Sequence, residues 1–159
     1  MTPKRYLRMP ASRSSVDELV SGDFREVLGD PGAPDTVDRV VLCTGKVGHE
    51  LIERRDKIDA PAAVVRLEQL YPFPESQLRA TLAAYPGAEL VWAQEEPENM
   101  GAWSFVRGRL QRMLGDGVVV RYAGREESGS PASGTQTVHD KEQDELLTAA
   151  LAVDGRPDV

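Results

Sequence analysis

The sequence predicts an α/β domain with a mostly parallel sheet and flanking helices. Four short, nearly continuous apolar runs lie between turn residues, the pattern of strands covered on both faces. Apolar residues at helical spacing follow the runs, an alternation that builds parallel sheets. Polar and charged residues collect directly after each run, along the sheet edge where open α/β folds place ligands or partners.

Residues 1 to about 36 read as a connector. They hold many breakers (Pro3, Pro10, Gly22, Gly29, Pro31, Gly32, Pro34) and a basic start of Lys4, Arg5, Arg8 and Arg13. A short helical turn is expected at Ser15-Val16-Asp17-Glu18-Leu19, capped by Ser14 or Ser15. The α/β domain is expected over 37–153 and a frayed tail over 154–159.

The first strand is Arg39-Val40-Val41-Leu42-Cys43-Thr44, and its helix carries Val47, Leu51 and Ile52 on one face. Ala62 to Leu67 is the second strand. Its helix follows Pro72-Phe73-Pro74, buries Leu78, Leu82 and Tyr85, and stops at Pro86-Gly87. Leu90-Val91-Trp92-Ala93 is the third strand, followed by a helix through Trp103, Val106, Leu110 and Met113 that ends at Gly115. The fourth strand is Gly117 to Tyr122. A small-residue loop from Gly124 to Gly134 then leads to a last helix over about 138–152, with Thr137 and Asp140 as a capping box.

Composition narrows the function. The 159 residues suit one domain with a proper core. A net charge of −7 argues against nonspecific binding to nucleic acid or to an anionic membrane. The one cysteine, Cys43, sits in an apolar run and reads as a small buried hydrophobe in a reducing compartment. No export signal is read, so the cytoplasm is the expected location.

The most unusual stretch runs from Gln94 to Trp103, between the third strand and its helix. Glu95, Glu96 and Glu98 lie within four residues, and seating them at a strand end requires either water or a use. Alone, the stretch could be a solvated acidic loop. Lys46 follows strand one, Arg66 with Glu68 and Gln69 ends strand two, and Arg125 follows strand four, all on the same edge. The candidate edge is therefore Lys46, Arg66, Glu68, Gln69, Gln94, Glu95, Glu96, Asn99 and Arg125. A bidentate Arg66–carboxylate pair across the strand ends would neutralise part of the acidic turn.

Sharper chemistries fail on the residues. Gly45-Lys46 lacks the rest of a phosphate-binding loop, and no G-x-G-x-x-G opens a helix. Two histidines, His49 and His139, with one cysteine make poor zinc ligands. His49 is expected on a helix surface and His139 near a cap. Gly115-Asp116-Gly117 echoes the opening of a thiamine-diphosphate/Mg²⁺ motif, but that motif needs two asparagines and Asn99 is the only one. It reads as a helix-ending turn. No nucleophile, base and orienter can be assembled.

Leu42-Cys43-Thr44-Gly45-Lys46, Arg66-Leu67-Glu68-Gln69-Leu70-Tyr71-Pro72-Phe73-Pro74, Tyr85-Pro86, and Gln94-Glu95-Glu96-Pro97 with Asn99-Met100-Gly101-Ala102-Trp103 resemble the C-terminal region of 2-oxoglutarate dehydrogenase E1 components. Thr2-Pro3-Lys4 with Leu7-Arg8, Ser130-Pro131-Ala132 with Gly134, and Val138-His139 with Glu142-Gln143 extend the resemblance over nearly the whole chain. It departs at Gly48-His49, where relatives carry aromatic residues, and at the more charged Arg125-Glu126-Glu127.

The resemblance implies a transketolase C-terminal-domain-like fold, Rossmann-like without a dinucleotide motif. It also implies a homodimeric parent enzyme that decarboxylates 2-oxoglutarate with thiamine diphosphate and Mg²⁺ and passes the succinyl group to the lipoyl arm of an E2 partner. The cofactor would be held by preceding domains absent from this chain, which itself would bind none, and Met1 would be an internal position. On that reading the chain would be a fragment, a truncated product or a separately encoded part, and inactive alone. This domain would support the dimer, and in some actinobacterial relatives it helps form an acetyl-CoA effector site. The alternative is a stand-alone, non-catalytic module that senses acyl-CoA or dimerises.

Overall fold

Strand β1 is only Val27–Leu28, whereas β2 (Arg39–Cys43) is buried along its whole length. Alternate β2 residues enter opposite cores, Val41 and Cys43 on one side and Val40 and Leu42 on the other. In the computed structural model, which describes residues 4–131 and 134–152, β2 is central to a sheet with β3 (Ala62–Leu67), β4 (Glu89–Pro97) and β5 (Val120–Arg125). The order among the described residues is β1-β3-β2-β4-β5, with β1 antiparallel to β3 and every other pair parallel.

Helix α1 (Val16–Ser21) lies in the lead-in and buries no residue. Helices α2 (Val47–Ile58) and α5 (Gln136–Leu151) cover one sheet face, placing Val47, Leu51, Leu147 and Ala150 against Val41, Val64 and Val91. Helices α3 (Glu75–Leu82) and α4 (Trp103–Leu114) cover the other, where Leu78, Val106 and Leu110 meet Leu42, Val65 and Trp92. Each such aliphatic side chain stabilises the fold by about 1.5–3 kcal/mol through burial. The α/β class and mostly parallel sheet follow as expected. No helix among the described residues is long and apolar enough to cross a membrane.

Four local expectations shift. Strand β4 continues through Gln94-Glu95-Glu96 to Pro97, so the acidic residues begin on a strand rather than in a turn. The register with β5 is interrupted between Ala93 and Pro97, which lets polar residues occupy the strand end. Strand β5 starts at Val120, later than Gly117. The cap of α5 is Thr135, whose extended backbone lets its hydroxyl accept from the Val138 N–H at 3.3 Å; Thr137 is already helical. Finally, Val27 and Leu28, read as part of the connector, pair with Leu67 and Arg66 of β3. Two residues are too few for a hydrophobic period to show. The expected 154–159 tail, and Thr2, Pro3 and Ala132, lie outside the described residues.

The topology fixes where a site can be. Strands β2 and β4 are neighbours, but the helices after them, α2 and α4, lie on opposite faces. Their carboxyl ends therefore flank the crevice at the switch point of the sheet.

Candidate functional site

Lys46 and Glu95 close that crevice. In register, Cys43 lies beside Ala93, so Lys46 at the start of α2 and Glu95 further along β4 reach each other across the strand ends and form an ion pair. The ammonium also lies 3.3 Å from Glu50, one helical turn on. Glu50 in turn accepts from Gln143 Nε2 of α5 at 2.7 Å. The crevice mouth is thus bridged by a network drawn from α2, β4 and α5.

Arg66 was expected to answer the acidic turn with a bidentate pair. It does not: among the described residues its carboxylate contact is Glu68 at 3.7 Å, too long for a hydrogen bond, and Lys46 serves the turn instead. The guanidinium Nη1 instead lies 2.9 Å from His49 Nε2. Gly48 makes this path available, since a Cβ there would sit 2.5 Å from Arg66 Cδ and 3.2 Å from Cys43 Sγ. His49 is accordingly half-buried rather than a surface residue. Burial first, then the Arg66 charge, lowers its pKa, so neutral imidazole is favoured as the acceptor. Tyr6 packs edge-on to His49 with ring centroids 5.1 Å apart, and burial followed by Glu50 and Glu95 pushes its phenol well above the ordinary range. The lead-in therefore crosses this end of the sheet. Cys43 beneath is fully buried and its thiol is pushed up to about 12 by that burial.

Gln94, expected on the interface or effector edge, is buried and organises the turn from within. Its side-chain oxygen accepts from Trp103 N at 2.9 Å and from Trp92 Nε1 at 3.1 Å. Its amide nitrogen donates to the carbonyls of Met100, Pro97 and Glu96 at 2.8, 3.1 and 3.2 Å. Gly101, with φ +65°, passes so close that a Cβ would lie 3.0 Å from that nitrogen. Trp103 is core, as expected, and stacks at a tilt on Tyr122 at 5.4 Å. Asn99 clamps Ser128, donating to its carbonyl at 3.0 Å and accepting from its N–H at 3.1 Å. Glu96 points to solvent, and Gln69 donates to the Pro72 carbonyl at 2.9 Å.

At the end of β5, Arg125 lies 3.1 Å from Glu142 and 2.9 Å from His139 Nδ1. Beside it is a cleft of about 640 Å³ lined by Arg125, Glu126, Glu127, Ser128, Glu142 and Glu145 among others. Four carboxylates around one already paired guanidinium make this cleft unwelcoming to a phosphate-bearing ligand.

Among the described residues no group of three or more His, Cys, Asp or Glu could hold a metal ion. Gly115-Asp116-Gly117 is a helix-ending turn at the opposite, amino end of the sheet, where Gly115 N donates to Gln111 O at 2.9 Å.

Two ion pairs, each with a buried arginine, lie beyond the sequence expectations. Arg55 of α2 pairs with Asp30, both almost fully buried, and Asp30 also accepts from Val64 N at 2.9 Å and Gly32 N at 3.1 Å. Arg39 donates to Glu89 through Nε at 2.9 Å and to the carbonyls of Ala149 and Ala150 at the end of α5. Nothing local in the sequence signals partners this far apart.

The mostly parallel sheet, its switch-point crevice and the charged carboxyl edge define an α/β domain of the open-sheet class. The family model described as 2-oxoglutarate dehydrogenase C-terminal matches residues 13–151, and the chain belongs to that family. It is 43% identical over 157 residues to the 2-oxoglutarate dehydrogenase E1 component of Geobacillus sp. (strain WCH70), covering 95% of this chain and 16% of that protein. To the mitochondrial 2-oxoglutarate dehydrogenase of Caenorhabditis elegans it is 43% identical over 160 residues, 96% of this chain and 16% of the relative. The E1 component of Cupriavidus necator is 44% identical over 156 residues, again 96% and 16%. The chain thus spans about a sixth of the length of these relatives. The stand-alone module draws no support from these matches.

Proposed function

We propose that this chain acts as the C-terminal domain of a 2-oxoglutarate dehydrogenase E1, a homodimer that decarboxylates 2-oxoglutarate and succinylates the lipoyl group of E2. Thiamine diphosphate and Mg²⁺ supply the chemistry in that enzyme and are held by its other domains. The role of this domain is structural: it supports the assembly. The observation that carries the reading is the match at 43% identity over 95% of the chain to an E1 component, combined with an edge where Lys46 and Arg125 already hold carboxylates. Lys46, Arg66, Glu68, Gln69, Gln94, Glu95, Glu96, Asn99 and Arg125 then act as a frame facing the rest of E1. An acetyl-CoA effector on this edge would have to displace Glu95 from Lys46 or Glu142 from Arg125. A buried, unpaired Cys43 suits a reducing compartment such as the cytoplasm.

The direct test is carbon dioxide release by the purified chain with 2-oxoglutarate, thiamine diphosphate and Mg²⁺. No turnover is expected, and sustained turnover by this chain alone overturns the assignment.

A further inference from the structure

At the carboxyl edge Lys46 and Arg125 already hold carboxylates; the uncovered apolar surface of this domain lies elsewhere. Large apolar side chains left in solvent concentrate in the lead-in: Leu7, Val16, Leu19, Val20 and Phe24 are each between 68% and 80% exposed. Val16, Leu19 and Val20 stand at i, i+3 and i+4 on α1, so they form one apolar stripe. Every residue from 13 to 25 is exposed, and α1 touches no core.

A six-residue helix is far below the length that holds itself together in water. Ser15 and Glu18 form a full capping box, and Arg25 pairs with Glu18 at 2.8 Å, so the sequence specifies this helix. Local caps contribute about 1 kcal/mol each, not enough without a packed face. Something must cover the stripe.

We propose that the stripe of α1, with Leu7 and Phe24, docks the domain onto the remainder of the E1 polypeptide. This rests on the functional reading above and names its contact surface. Area selects the occupant. Together the five side chains expose on the order of a few hundred Å², well short of the ~800 Å² per partner of a stable complex between separate chains. Contacts between domains of one chain need less, because the linkage supplies a high effective concentration. The relatives carry about five-sixths of their length beyond the part matched here, so a covalently joined partner exists in them. Exposed Lys4, Arg8 and Arg13 and exposed Asp17, Glu18 and Asp23 accompany the apolar side chains, so the groove that receives them is apolar with a rim of mixed charge.

The test grafts this chain in place of the matched stretch of the Geobacillus E1 component and introduces Leu19→Cys, with Phe24→Cys read in parallel. Maleimide labelling at each position is followed by mass spectrometry, in the graft and in the isolated chain. Both positions should react freely in the isolated chain and at least about tenfold more slowly in the graft, independent of concentration. Equal rates in both overturn the proposal. So does protection in the isolated chain that grows with concentration, because the occupant is then a second copy. A graft that turns over 2-oxoglutarate but leaves position 19 reactive overturns the docking surface alone. A folded graft without turnover overturns the functional reading, while its labelling rates still decide the docking surface.

Discussion

The side-chain oxygen of Gln94 lies 2.9 Å from the backbone N–H of Trp103, joining the end of β4 to the first residue of α4. Five hydrogen bonds from one buried amide hold the acidic stretch in shape, so its carboxylates are displayed by a neutral residue. Gln94→Leu keeps the bulk but strands the Trp103 N–H and the Trp92 indole N–H. A loss of about 3 kcal/mol is expected, since each buried group left unsatisfied costs about 1–3 kcal/mol. Urea denaturation measures it, and an unchanged midpoint would show that the amide is not the organiser.

The Arg55–Asp30 pair ties the segment before β2 to α2 and β3. Asp30→Ala leaves the buried Arg55 guanidinium with the exposed Asp56 as its remaining carboxylate, at 2.7 Å, and frees the Val64 N–H, and should cost about 1–3 kcal/mol for each group left short of a partner. Adding Arg55→Met should recover part of that loss, because the under-compensated charge is gone. Additive losses in this double-mutant cycle would mean the two residues act independently.

His49 gives the domain an acid-side dependence. Its folded-state pKa is below the unfolded value, near 6.5, so its contribution is complete above that value. It is lost as the pH falls below about 6.5 toward the folded pKa. Histidine titration by NMR should show His49 below the ordinary range, and Arg66→Ala should move it upward. A His49 titration unaltered by Arg66→Ala would break the proposed contact.

On the alkaline side, Cys43 and Tyr122 are both raised to about 12, chiefly by burial. A raised acid pKa contributes fully below the unfolded value of 9.0 for the thiol and 10.0 for the phenol. That contribution declines as the pH climbs from there toward about 12. Stability should therefore fall with rising pH in this window, together with the appearance of tyrosinate absorbance. Cys43 should resist maleimide at neutral pH until the chain unfolds. Rapid native-state labelling would contradict its burial.

Much of the fold is legible because burial on two faces writes itself into continuous apolar runs, as in Val40-Val41-Leu42-Cys43 and Ala62-Ala63-Val64-Val65. Helices α2 to α4 show in the spacing of Leu51, Leu78 and Leu110. Strand β1 does not show, since two residues carry no period. The location of the polar edge is legible from topology, because every strand end falls on one side of a parallel sheet. Its internal pairings are not. Charge type alone cannot say that Lys46 rather than Arg66 answers Glu95, or that Gly48 steers Arg66 toward His49. Gln94 and Glu96 look alike as polar residues after an apolar run, yet the interrupted register with β5 buries one and exposes the other.

The most direct measurement is 2-oxoglutarate-dependent turnover of the Geobacillus E1 component carrying this chain in place of its matched stretch, beside the same protein with that stretch deleted. The account predicts that the graft retains turnover within about tenfold of the parent, a rise of no more than about 1.4 kcal/mol in barrier, while the deletion is inactive. A folded graft as inactive as the deletion would contradict it.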